Sequence, residues 1–390
     1  MKYNFDEIID RRNTESAKWK ALKQLYGRED IIPMWVADMD FKSPPEIIQN
    51  LKERADHGVF GYPMIDDNYF DSFVNWVKKR HELNISKEWI ITADGVVDAL
   101  KIAILAFSKP GDKVVIQTPV YYPFYNIIKS NGREILRNSL KIENGNYIMD
   151  YEDLEKKLSD KRTKLFILCN PHNPVGRVWT KQELEKLSDL CVKHNVILLS
   201  DEIHSDLIYP SNKHIPIVSI SQEIKEKSLT FYAPSKTFNL AGLKASYVVI
   251  PNNELRNEYK NTIESISSSS LNIFGMIAAK AAYEKGEGWL KELLIYLENN
   301  IDFVISFFND KLPKVKITKP EGTYLMWLDF RAYGDEEKIK EMLVNKAKVG
   351  LEEGSIFGEE GKGYFRMNIG CPKSVIEKVC NNIYNAFKDL

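Results

Sequence analysis

Between residues 88 and 250 the chain repeats one unit: a short apolar run without polar alternation, a polar loop, then a segment with helical spacing. The runs "EWIITA", "KVVIQT", "KLFILC", "VILLS", "SLTFY" and "ASYVVI" offer no polar face to water, so they predict strands buried on both sides. Between them, "GVVDALKIAILAF" sets Val97, Leu100, Ile104 and Phe107 on one helical face. Thr180 followed by Glu183 has capping-box spacing, ahead of a helix whose Leu184, Leu187 and Cys191 face inward and which Asn195 closes. This alternation predicts an open, mostly parallel α/β sheet with helices on its faces. In such sheets ligands bind beyond the carboxyl ends of the strands, which fixes where to look.

After residue 285 the character changes. A long amphipathic helix ("WLKELLIYLENNIDFVISFFNDKL") precedes a strand pair in "KVKITKPEGTYLMWLDF", a helix near 335–348, the strand "GYFRMNIG" and a last helix in "VIEKVCNNIYNAFKDL". This predicts a smaller α+β domain of residues 1–44 and 286–390, beside a large domain of 45–285, a division that suits 390 residues. The Ser-rich patch "SISSSS" (265–270) is expected to be a hinge or an inter-subunit loop. A formal charge of −1 gives no electrostatic footprint for nucleic acid or an anionic membrane. No run of 18 apolar residues occurs, and the N-terminus lacks the apolar core of a signal peptide. Four cysteines without a CxxC pair suit a reducing cytoplasm.

Five segments end a strand and then present polar groups: "TADGVV", "QTPVYYP", "LCNPHNPVGR", "LLSDEIH" and "YAPSK". Gly95 opens a helix, so the amides of Gly95, Val96 and Val97 would point at a phosphate; the alternative is an ordinary helix start capped by Asp94. Tyr121 and Tyr122 follow Pro119, where an aromatic face would either stack on a flat ligand or pack a turn. Asn173 sits between prolines, a fixed amide donor or a capped turn. Asp201 ends an apolar strand, and a desolvated carboxylate needs a partner: a protonated ring nitrogen or a lysine. His204 lies within reach of the same ligand. Lys236, held out of water, would lose its proton readily and act as a nucleophile on a carbonyl, with Lys244 placed to neutralise a phosphate. Together these are the requirements of pyridoxal 5'-phosphate (PLP): phosphate cradle, stacked aromatic, oxygen donor, pyridinium partner and a lysine bound to the carbonyl carbon.

With these residues in place, the chain resembles the fold type I PLP-dependent enzymes of the aminotransferase class I/II superfamily, and most closely their cystathionine β-lyase (C–S lyase) subgroup. The resemblance runs over the whole chain through "PMWVADMDF", "FGYP", "GVVDAL", "TPVYYPF", "CNPHNPVGR", "SDEIHSDL", "SKTFNLAGLK" and "FRMNIG". It implies a seven-stranded, mostly parallel sheet in the large domain. It also implies Lys236 as the cofactor-bound catalytic lysine, Asp201 at the pyridine nitrogen, Asn173 and His204 at the ring hydroxyl and Tyr121 stacked on the ring. Ser235, Lys244, Val96 and Val97 would hold the phosphate with Tyr62 of a neighbouring subunit, and Arg366 would pair with the substrate α-carboxylate. That use of Tyr62 makes the expected assembly a homodimer with shared sites. His204 stands where many aminotransferases carry tyrosine, and Lys244 where the aspartate aminotransferases carry arginine, which puts a bidentate phosphate contact in doubt.

The activity this implies is β-elimination from cystathionine or another cysteine S-conjugate, giving pyruvate, ammonia and a thiol. Transamination of an amino acid is the alternative, since the same residues serve it, and non-catalytic binding of a regulatory partner is a further one. The remaining motifs are expected to be structural. Asp38 and Asp40 lack a third metal ligand, so their segment is expected to fold over the cleft; "GEEGKG" (358–363) is expected to be a surface turn, and Cys169 has no base beside it.

Overall fold

The computed structural model describes residues 2–266 and 272–390, so Ser267–Ser270 of the Ser-rich patch lie outside the described residues. The large sheet holds seven strands: β1 (Ile90–Ala93), β2 (Lys113–Ile116), β3 (Glu134–Arg137), β4 (Thr163–Cys169), β5 (Ile197–Asp201), β6 (Ser228–Tyr232) and β7 (Ser246–Val249). Their order is β1-β7-β6-β5-β4-β2-β3. Six are the expected runs. The seventh, β3, is an edge strand with both faces half in water, so its sequence carries no apolar run to announce it.

All neighbours pair in parallel except β7, which runs antiparallel to both β1 and β6. That reversal has a consequence for the site. The first residue of β7, Ser246, pairs with the last of β1, Ala93, so the start of β7 joins the carboxyl ends of the other strands on one edge.

Side chains alternate between two apolar layers. Leu165 and Ile167 of β4 pack on the face covered by α1 (Val96–Phe107), while Phe166 and Leu168 pack on the face covered by α2 (Lys181–Lys193). Each such fully buried side chain contributes about 1.5–3 kcal/mol. The expected capping box starts α2: the Thr180 hydroxyl accepts from the Glu183 amide, and the Glu183 carboxylate accepts from the Thr180 amide. Of the expected face of α1, Leu100 and Ile104 are buried and Val97 and Phe107 half-buried; Val96, Ala99, Ile102 and Ala103 are enclosed too, because the helix Asn253–Ser265 packs on α1 as well. Its N-cap is Gly95, not Asp94.

After α3 (Glu287–Lys311) a second sheet forms from β8 (Lys316–Ile317), β9 (Leu325–Asp329), β10 (Glu352–Glu353) and β11 (Tyr364–Asn368), followed by α4 (Lys373–Phe387). Its order is β8-β9-β11-β10, antiparallel throughout. The helix expected near 335–348 divides into an α-helical Glu336–Glu341 and a π-helical Met342–Ala347. Among the described residues no helix is long and apolar enough to cross a membrane.

The "GEEGKG" stretch is not a surface turn. Gly358, Gly361 and Gly363 are buried, and Glu360 accepts from the Thr118 hydroxyl at 2.8 Å. Two backbones meet there: a Cβ added at Gly354 would lie 1.9 Å from the Gly361 carbonyl oxygen. Gly354→Ala is therefore expected to cost about 1–3 kcal/mol or more, read as a lower midpoint in denaturant unfolding with an unchanged slope.

Candidate active site

Five strand-end segments and the start of β7 enclose a cavity of about 240 Å³. Gly95, Val96 and Val97 form one part of its wall. Gly95 has φ +153°, a region that favours glycine, and this bend brings the first turn of α1 to the cavity. The leading N–H groups of a helix have no acceptor within it, and the helix dipole makes that end attractive to an anion. Ser235 and Lys244 line the same cavity, adding a hydroxyl and an ammonium. Asp94 lies on that wall too.

Asp201, the last residue of β5, is 4% exposed. Its Oδ1 accepts from the Ile203 amide at 3.1 Å. Burial pushes its carboxyl up to about 7, against the pull of that amide and of the Lys236 charge. Lys236 sits in a single helical turn, Pro234–Thr237, directly after β6. Burial first, and the Arg366 charge second, draw its ammonium down to about 8. Its Nζ donates to the Ala37 carbonyl at 2.7 Å. Among the described residues no ion pair joins Lys236 to Asp201, although both face one cavity. A buried carboxylate and a half-buried amine thus line one cavity without pairing.

His204 and Asn173 complete the polar lining. His204 is buried, its Nδ1 has no partner, and burial keeps the ring neutral by lowering its proton affinity. Asn173 Oδ1 accepts from Arg366 Nη1 at 3.0 Å, and the Asn173 carbonyl accepts from the Tyr121 amide at 3.1 Å. Tyr121 gives the cavity its aromatic wall, edge-on to Phe124 with ring centroids 5.7 Å apart. Cys169 Sγ is occupied between the Pro171 carbonyl and the Asn173 amide, and burial drives its thiol away from ionisation.

Ten of the twelve expected site residues lie on this wall: Gly95, Val96, Val97, Tyr121, Asn173, Asp201, His204, Ser235, Lys236 and Lys244. Arg366 stands behind Asn173, 2% exposed. Tyr62 does not reach the cavity of its own chain; it is fully exposed, beside exposed Val59, Phe60 and Met64.

The segment 34–41 closes one side, as expected of it, and it supplies what sequence reasoning missed. Ala37 lines the cavity, and its carbonyl accepts from Lys236 and also from the Tyr324 hydroxyl at 2.9 Å. The carbonyls of Val36 and Asp38 accept from Asn368 Nδ2, each at 2.6 Å, and those of Met39 and Phe41 accept from Asn239 Nδ2, each at 2.9 Å. The Asp38 and Asp40 carboxylates are engaged by cations of the chain itself. Arg11 bridges both carboxylates, and the buried ammonium of Lys18 meets Asp40 at 2.6 Å. Among the described residues no group of three or more His, Cys, Asp or Glu could hold a metal ion. Glu352, which pairs with Arg366, was equally invisible in the sequence.

The donor set fits PLP. A helix N-terminus with a hydroxyl and a lysine suits the phosphate, and a buried unpaired carboxylate suits a cationic ring nitrogen. The orphaned His204 Nδ1 lacks only a partner, which the ring oxygen of such a group would supply.

Comparison with known proteins agrees with this geometry. The family model "Aminotransferase class I and II" matches residues 29–383. Cystathionine β-lyase PatB of Bacillus subtilis is 46% identical over 375 residues, covering 96% of this chain and 97% of that protein. A PLP-bound, provisionally named aminotransferase from Clostridium difficile 630 superposes with a TM-score of 0.97 at 50% identity, over 99% of this chain and 100% of that one. Cystalysin from Treponema denticola, which contains a PLP cofactor, superposes with a TM-score of 0.97 at 40% identity, over 100% of each.

Proposed function

The chain belongs to the aminotransferase class I and II family, and from that premise we propose that it is a PLP-dependent carbon–sulfur β-lyase acting on cystathionine or a related cysteine S-conjugate. The observation that carries the reading is the pair Lys236 and Asp201, both lining one cavity and not ion-paired with each other. The name of the B. subtilis relative supports the choice of reaction.

In this reading Gly95, Val96, Val97, Ser235 and Lys244, which line the cavity, would hold the phosphate, Asp201 would hold the ring nitrogen, Asn173 and His204 the ring oxygen, and Tyr121 would cover the ring face. When bound, PLP supplies an electron sink for the pair left on the substrate Cα. Lys236 Nζ is the base for the Cα proton. An ammonium drawn down to about 8 is partly neutral near physiological pH, and a base so placed contributes roughly 10²–10⁴-fold. Asp201, ionised beside a cation, would keep a proton on the ring nitrogen. Arg366, fixed by Asn173, takes the α-carboxylate and orients the Cα–H bond toward Lys236. The Cα–H bond breaks, the electron pair forms the Cα–Cβ double bond, and the Cβ–S bond breaks to release a thiolate that takes a proton. Water then supplies the oxygen that yields pyruvate and ammonia.

Cystathionine incubated with the purified holoenzyme is expected to give pyruvate one-for-one with thiol, without an added keto acid. Transamination is the second reading, favoured by the name of the C. difficile neighbour. An absolute need for a keto-acid acceptor, with no thiol released, would establish it and end the lyase reading.

The exposed apolar set Val59, Phe60, Tyr62 and Met64 supports a homodimer in which Tyr62 completes the partner's phosphate site. We assign residues 45–285 to the large domain and 1–44 with 286–390 to the small one, supported by the start of one helix at Pro45 and of α3 at Glu287. Four free, buried cysteines support a reducing cytoplasm.

A further inference from the structure

The register of the second sheet sets Glu352 of β10 directly opposite Arg366 of β11, with Trp327 of β9 opposite Arg366 on the other side. Residues facing each other across antiparallel strands project from the same face. Topology therefore brings this carboxylate and this guanidinium together. The Glu352 carboxylate accepts from Arg366 Nη2, which also donates to the Trp35 carbonyl at 2.7 Å. Nη1 donates to Asn173 at 3.0 Å, Nε is buried without a partner, and the Phe357 ring lies over the guanidinium with its centroid 4.9 Å from Cζ. Arg366 is 2% exposed and Glu352 8%.

The groups facing Glu352 come from four directions. Arg366 is the cation. The Tyr26 phenol from the helix Leu22–Tyr26, and Tyr121 and Tyr122 ahead of the helix Pro123–Lys129, are neutral. On its own strand Glu353 is a second carboxylate, taken by Lys340 at 2.6 Å. Arg366 is thus already neutralised in a dry place. A substrate carboxylate arriving there sets two carboxylates on one guanidinium, and in low dielectric both cannot stay ionised.

The geometry points to Glu352 as a specificity residue: a resident carboxylate that competes with the substrate α-carboxylate for Arg366 and gives way by taking up one proton. This rests on the reading that Arg366 binds that carboxylate. Burial supports it, since it raises the proton affinity of Glu352 above that of an ordinary glutamate even beside Arg366. Two consequences follow. Amines lacking the α-carboxylate gain nothing from an arginine that is already satisfied, and carboxylate binding weakens as pH rises, because the proton becomes scarcer.

Propionate, a carboxylate with no amine, is the probe, used as a competitive inhibitor of the holoenzyme. Glu352→Gln keeps an acceptor for Arg366 but cannot ionise. It is expected to tighten propionate inhibition about tenfold at about pH 8 and by markedly less at about pH 5. Equal inhibition constants for wild type and variant at both pH values overturn the inference. Arg366→Lys separates the two readings. If it leaves propionate inhibition unchanged, the carboxylate site lies elsewhere and the assignment of Arg366 fails with it. If it weakens inhibition while Glu352→Gln does nothing, this inference fails alone. Should Glu352→Gln not fold, the wild-type enzyme decides: saturating propionate at about pH 8 takes up about one proton per site beyond the change in cofactor absorbance, and no uptake overturns the proposal.

Discussion

Replacing Lys236 by alanine is expected to lower turnover of a cysteine S-conjugate by roughly 10⁴-fold or more. The size follows from there being no substitute on the cavity wall. Lys244, the other amine there, is exposed and sits with the groups assigned to phosphate, whereas burial draws the ammonium of Lys236 down to about 8. His204 is within the site, but burial keeps it neutral and Nδ1 is assigned to the ring oxygen. Exchange of the substrate Cα proton with deuterated solvent, followed by NMR, isolates the step in question. It should fall with turnover in Lys236→Ala, stay low in Lys236→Arg, and recover in part when methylamine is added to the alanine variant. Undiminished exchange in Lys236→Ala would place the base on another residue.

Asp201→Asn should show two effects of opposite sign. Activity is expected to fall roughly 10²–10⁴-fold, because an amide does not hold a proton on the ring nitrogen as a carboxylate does. Stability of the cofactor-free protein moves the other way. Burial holds the Asp201 carboxyl at about 7 in the folded chain, against an ordinary value near 3.9 in the unfolded one. Between those values the folded chain keeps a proton that the unfolded chain has lost. The contribution of this group is therefore full below about pH 4 and is lost as pH rises through about 7, with an upper limit of about 4 kcal/mol. Asparagine has nothing to ionise. Cofactor-free Asp201→Asn should melt several degrees above cofactor-free wild type at about pH 8, with the gap closing toward about pH 4. A variant that melts lower at the alkaline end would mean that the fold already compensates this charge, and the case for a cation from the cofactor would lapse.

The readable part of this molecule was the part written in consecutive residues. Six of the seven large-sheet strands were visible because burial on both faces leaves an unbroken apolar run, and Asp201 and Lys236 stood out because polar groups end such runs. Arg366 and Tyr62 needed the resemblance, since nothing in "YFRMN" or "FGYP" alone separates them from a core arginine or a surface tyrosine. What stayed hidden is tied to contacts across long stretches of chain. The Ala37 carbonyl accepts from a residue 199 positions away, and a backbone oxygen has no letter in the sequence. Glu352 looked like one of many acidic residues until a strand register set it opposite Arg366. Gly361 read as loop punctuation, although its carbonyl passes too close to Gly354 for any side chain.

The segment 34–41 touches the reactive amine through a carbonyl, and its hold on the site depends on asparagines from two distant stretches and on Arg11 and Lys18 near the chain's beginning. Loss of Arg11 and Lys18 would thus loosen a segment whose carbonyl meets the reactive amine, although the residues of the strand ends that line the cavity lie elsewhere in the chain.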